Sequence, residues 1–167
     1  NHLDVHKYIE EYVEAKKTIY RFQQETGRLI VNADNEITAS LRSRGTTRTF
    51  SRLGKGDVCL LDGVIARDGV KVLPVTDILI PGFHNIENYM AAILAVEGLV
   101  EDDVIRSVAA SFGGVEHRIE LVRIKDGVRF YNDSIASSPS RTIAGLRSFP
   151  EKVILIAGGY DKKIPYD

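Results

Sequence analysis

Lys16 stands where a lysine is expensive. Tyr8, Ile9, Tyr12, Val13, Ile19 and Tyr20 recur at intervals of three and four residues, and together make one apolar stripe of an amphipathic helix running to about Gln24. Lys16 falls inside that stripe. Burial disfavours an ammonium ion and lowers the pKa of the amine. Either the four-carbon stem crosses the apolar surface and delivers the charge to water, or the amine is put to use as a Schiff base, a general base or a carbamate. His2 and Asp4 lie just upstream, so one loop and one helix could together hold a metal ion. Asp4 equally suits a helix N-cap, and His6 a structural place at the helix start. Asn85 and Asn88, three apart, share a face of the first turn of a second helix. There they can cap the helix or offer paired donors and acceptors to a ligand such as a purine edge; capping accounts for one of them, not both.

The elements that must position these groups follow from pattern. Arg28 to Ala33 reads as a short buried strand closed by Asp34-Asn35, Glu36 to Arg44 as one or two helical turns, and Thr46 to Arg52 as β-forming. Val58 to Ala66 and Val70 to Val75 flank Arg67-Asp68-Gly69 as a hairpin. Pro81-Gly82 precedes a helix starting near His84 or Asn85, with Ile86, Met90, Ile93 and Leu94 as its apolar stripe. Leu99 to Phe112 is a further helix with Glu101, Asp102 and Asp103 at its positive end, and Gly113-Gly114 marks a domain boundary. Beyond it come a hairpin (Arg118 to Ile124, Val128 to Asn132), a polar loop, a helix over 139–149, and a continuous apolar run over 152–157 typical of a parallel strand covered on both faces. Strand, helix, strand, then Gly158-Gly159 opens an α/β domain, whose ligands gather at the carboxyl ends of strands, where Asp133 and Lys162 fall. His117 is expected as a packed or hydrogen-bonded strand residue, and Cys59 as core. For Lys162 and Lys163, a solvated loop and a substrate contact are both open.

The net charge of −1 gives no electrostatic case for nucleic acid or an anionic membrane surface. A single cysteine cannot form an internal disulfide, and no apolar run is long enough for a membrane span. A cytoplasmic protein is expected. With 44% hydrophobic residues the chain can bury a core. Met90 is the only methionine, so the chain reads as an excerpt of a longer protein.

Five blocks are recognisable together: Asn1-His-Leu-Asp-x-His6 followed by Ala15-Lys16; Gly82-x-His-Asn-x-x-Asn88 leading into Ala91-Ala92; Glu116-His-Arg-Ile-Glu120; Tyr131-Asn-Asp-Ser134; and Gly158-Gly-x-Asp-Lys162. In that order they resemble the ATP-dependent Mur ligases of peptidoglycan synthesis, and the Asn-Asp-Ser block resembles the D-glutamate-adding branch. The resemblance implies an α/β fold: residues 1–113 as the second half of the central ATPase domain, and 114–167 as the start of a Rossmann-like C-terminal domain that binds glutamate. The phosphate-binding Gly-x-x-Gly-Lys-Thr loop and the nucleotide-sugar domain are then expected upstream of this chain, which alone should not turn over.

The resemblance further implies ATP, magnesium or manganese, UDP-N-acetylmuramoyl-L-alanine and D-glutamate as ligands of a monomeric enzyme. By the same likeness Lys16 is carbamylated and holds the metal with His2, Asn85 and Asn88 lie near the adenine, Arg118 reaches the γ-phosphate, Asp133 lies near the ribose, and Lys162 contacts the incoming glutamate. One position departs from the family pattern: Ile135 stands where a lysine associated with the nucleotide is usual, while Ser137 keeps a hydroxyl. A sister amide ligase, including the folylpolyglutamate synthases, and a module that only binds nucleotide are the alternatives.

Overall fold

The computed structural model describes residues 8–159. They form two compact units, Thr18–Phe112, and Gly113 onward together with the start of the first helix up to Lys17. That helix, α1 (Ile9–Arg21), forms as its periodicity requires but buries none of its residues; Ile19 is 80% exposed. Lys16 too is exposed, with its Nζ 5.5 Å from the centre of the Tyr12 ring. The expectation of a lysine on a buried face is therefore corrected. Periodicity tells which side of a helix is apolar, not whether another element covers it.

Unit Thr18–Phe112 is built on a five-stranded mixed sheet, β1 (Arg28–Asn32), β2 (Thr46–Ser51), β3 (Val58–Leu61), β4 (Val64–Arg67) and β5 (Val70–Pro74), in the order β1-β2-β3-β4-β5. The first three strands are parallel neighbours and the last two antiparallel. Val58 to Ala66, expected as one strand, is two. Asp62 and Gly63 take φ of 48° and 77°, a two-residue turn that reverses the chain, as an Asp-Gly pair between apolar residues favours. Asp68-Gly69 repeats the device at φ 49° and 81°, and Asp126-Gly127 again at 52° and 78°. Gly45 meets a different constraint: a Cβ there would lie 2.1 Å from the Gly27 carbonyl oxygen, so only glycine allows β1 and β2 to start side by side.

The short helix α2 (Glu36–Ala39) is capped by the Asn35 side chain, which accepts from the amides of Ile37 and Thr38. Helix α3 (Phe83–Ala95) lies across β1, β2 and β3, and α4 (Asp102–Ser111) against β5. The stripe read from the sequence is the core: Ile86, Met90, Ile93 and Leu94 are all buried, packed with Val58, Ile65 and Leu73. Helix α4 starts three residues later than expected, behind a turn over 96–99, with Asp102 and Asp103 in its first turn. Arg48 of β2 ties the unit's polar edge together through Asp68 at 2.7 Å, Glu97 at 2.9 Å and Asp57 at 3.5 Å. Burial opposes ionisation of Asp57, but the amide and hydroxyl of Thr49 and the charge of Arg48 outweigh it and hold the carboxyl below its ordinary range.

The second unit contains the hairpin β6 (Glu120–Lys125) and β7 (Val128–Asn132) and the helix α5 (Pro139–Leu146). The apolar run over 152–157 forms no strand; Ile154 and Ile156 are 95% and 92% exposed. This corrects the doubly covered parallel strand, because a strand exists only through a ladder partner and none of the described residues supplies one. No helix among the described residues is long and apolar enough to cross a membrane.

Candidate functional site

Arg118 occupies the turn that leads into β6. His117 before it and Ile119 after it both lie in the left-handed region, at φ 66° and 47°. His117 is thus a turn residue, not the strand residue expected, and the hairpin begins only at Glu120. For a β-branched residue such as Ile119 this conformation is a true outlier, costing on the order of 1–3 kcal/mol, and the neighbours over-determine it. The His117 amide donates to Glu120 Oε2 at 2.8 Å, and the Ile119 amide donates to Asp133 Oδ1 at 3.2 Å. The His117 carbonyl accepts from the Ile135 amide at 3.2 Å, and its ring Nδ1 lies 2.8 Å from Asn132 Nδ2. Arg118 itself is half-buried, and no carboxylate among the described residues pairs with its guanidinium. A fork-shaped cation on a fixed backbone, free of an internal anion, suits a phosphoryl group.

Asp133 follows β7 and is also held on two sides. One oxygen takes the Ile119 amide; the other faces Gly145 of α5 so closely that a Cβ on that glycine would lie 2.7 Å from it. The Ile135 side chain is exposed, while its amide donates to the His117 carbonyl and its carbonyl accepts from the Ser137 amide.

Asn85 and Asn88 belong to the other unit, in the first turns of α3. Neither caps the helix: the N-cap is Gly82, with no side-chain cap bond. Asn85, buried, donates from Nδ2 to the Pro81 carbonyl at 2.6 Å and accepts from Asn88 Nδ2 at 3.2 Å. This corrects the capping expectation. Asn85 fastens the loop before the helix and orients its neighbour. Exposed Asn88 keeps its carbonyl oxygen and one amide hydrogen, the acceptor–donor pair that a purine edge requires.

His2, Asp4, His6, Lys162 and Lys163 lie outside the described residues, so only Lys16 represents the expected metal site. Its amine is solvent-accessible and makes no ion pair with a described carboxylate, whereas neighbouring Lys17 pairs with Glu14 at 2.6 Å. Among the described residues no group of three or more His, Cys, Asp or Glu side chains could hold a metal ion.

Residues 1–96 match the family model described as the Mur ligase middle domain. The chain belongs to the Mur ligase family. It is 58% identical over its whole length to the UDP-N-acetylmuramoylalanine--D-glutamate ligase of Acetivibrio thermocellus and 50% identical to that of Clostridium beijerinckii, spanning 38% and 37% of those proteins. Among solved structures it is similar to MurF from Acinetobacter baumannii, with a TM-score of 0.71 and 23% identity over 88% of this chain and 34% of that one. MurC from Thermotoga maritima follows at 0.66, with 21% identity over 89% of this chain and 35% of that one. These likenesses bear out the α/β Mur ligase fold. Within this Mur ligase chain, the resemblance gave roles to Arg118 and Asp133 but none to Glu120 and Asn132, which bond His117 beside Arg118, or to Gly145, whose missing Cβ leaves room for the Asp133 carboxylate. Glu120 stood inside the quoted Glu116-His-Arg-Ile-Glu120 block; what it does depends on backbone angles that the block does not display.

Proposed function

We propose that the protein to which this chain belongs is an ATP-dependent ligase that joins D-glutamate to UDP-N-acetylmuramoyl-L-alanine in cytoplasmic peptidoglycan precursor synthesis. The 58% identity along the whole chain to a relative of that name carries the reading. The guanidinium of Arg118, which no described carboxylate pairs, is the geometric feature that fits it. Residues 1–113 would form part of the central ATP-binding domain and 114–167 the opening of a Rossmann-like domain, with Lys162 meeting the glutamate.

The reaction proceeds in two steps. The L-alanine carboxylate displaces ADP from the γ-phosphorus to give an acyl phosphate, and the amine of D-glutamate then expels phosphate through a tetrahedral intermediate. Most of the catalysis is positioning and charge neutralisation. Arg118 pairs with γ-phosphoryl oxygens, Asp133 accepts from the ribose, and Asn88, oriented by Asn85, reads the adenine edge. Lys16, which makes no ion pair with a described carboxylate, would as a carbamate hold magnesium together with His2; the family likeness, not its exposed position, supports this role. The ion would supply charge neutralisation for the phosphates, and the described residues alone offer no complete donor set for it.

The test is D-glutamate-dependent phosphate release from ATP by the whole natural protein supplied with UDP-N-acetylmuramoyl-L-alanine. Lys16→Ala should abolish that release, and added short-chain carboxylic acids should restore part of it by standing in for the carbamate. Undiminished turnover in the variant refutes the role of Lys16; turnover that ignores D-glutamate refutes the choice of substrate.

A further inference from the structure

No carboxylate among the described residues pairs with the guanidinium of Arg118, but its backbone is held. It lies between two residues in a conformation that L side chains rarely adopt, and each of those residues gives its amide to a carboxylate, His117 to Glu120 and Ile119 to Asp133. Of the two anchors, Asp133 already has a place in the nucleotide site. Glu120 has none: it is the first residue of β6, its carboxylate is partly buried, and its other polar neighbour is the His117 ring, Nδ1 to Oε2 3.8 Å. Were the Glu120 carboxylate absent, the His117 amide would lose its acceptor, leaving the Ile135 amide on its carbonyl and Asn132 at its ring to hold the positive φ without it. A return of that residue to negative φ would swing the Arg118 side chain away from its present direction.

We propose that Glu120 is a positioning residue for Arg118: by accepting the His117 amide it locks the left-handed turn that aims the guanidinium at phosphoryl oxygens. The inference rests on the reading of Arg118 as a γ-phosphate ligand. It adds that the aim is set by a carboxylate two residues away that never touches the nucleotide.

A double-mutant cycle on kcat/KM for ATP in the whole natural protein decides it. Glu120→Ala should lower kcat/KM on the order of 10- to 100-fold, the scale of an ångström-sized misplacement. Glu120→Gln, which keeps an oxygen acceptor for the His117 amide, should recover most of that loss. In an Arg118→Ala background, Glu120→Ala should cost nothing further, because the residue it positions is gone. Glu120→Asp, which keeps the charge but shortens the reach, is read through the same cycle if the alanine variant fails to fold, and should show the same dependence on Arg118. An equal fold-loss with and without Arg118 would mean that Glu120 only supports the fold, and would overturn the proposal while leaving Arg118 in place. An Arg118→Ala variant as active as the parent would overturn the role of Arg118 and the positioning with it.

Discussion

Replacing Gly145 by alanine would place a methyl carbon 2.7 Å from Asp133 Oδ2. The carboxylate would have to retreat by roughly half an ångström to regain ordinary non-bonded separation. It is not free to do so, because its other oxygen accepts the Ile119 amide at 3.2 Å. Two effects on stability then oppose each other. Alanine is better than glycine inside a helix by about 1 kcal/mol, and weakening one partly exposed hydrogen bond costs about 0.5–1.5 kcal/mol. The difference is near zero, so the thermal midpoint should move by no more than a few degrees. Nucleotide affinity has no such compensation. If Asp133 meets the ribose, its displacement should cost about 1.4 kcal/mol, a tenfold rise in Kd for ATP or ADP. Calorimetric titration and a melting curve on Gly145→Ala, beside Asp133→Ala as reference, read both quantities. An alanine variant that binds nucleotide as tightly as the parent, while Asp133→Ala does not, would refute the claim that Gly145 sets the carboxylate. A Kd that rises only in step with a collapse of the midpoint would refute the separation of the two effects.

Asp57→Asn should flatten the acid limb of the stability curve. The Asp57 carboxyl is held below its ordinary range when folded, so its contribution is complete above the unfolded value of about pH 4 and disappears as pH falls through the folded one. Urea midpoints of parent and variant should therefore converge as the pH drops below about 4, and curves that stay parallel would contradict this. Tyr89→Phe should be neutral or stabilising by up to about 1 kcal/mol, since its hydroxyl is buried with no hydrogen-bond partner among the described residues. A loss larger than that in urea unfolding would reveal a partner for the hydroxyl.

Local chemistry was legible along the chain wherever it acts through near neighbours. The 3.6-residue stripe of α3 became the core because Ile86, Met90, Ile93 and Leu94 need only a sheet to lie on. Asp-Gly pairs turned the chain at 68–69 and 126–127 because that dipeptide accepts positive φ at both positions. The same pair at 62–63 was present in the sequence and split a strand that the apolar run alone made look continuous.

Burial, by contrast, depended on partners that no segment carries within itself. The stripe of α1 and the run over 152–157 both have apolar composition, yet the described residues of each are left largely to solvent. Spacing singled out Asn85 and Asn88, a place at a strand end singled out Asp133, and the family resemblance singled out Arg118. Only the tertiary structure decided how Asn85 and Asn88 bond, and that the amides on either side of Arg118 are held by Glu120 and Asp133. Such an assignment depends on the backbone angles of His117 and Ile119, and those are fixed by carboxylates and loops that meet only once the chain has folded.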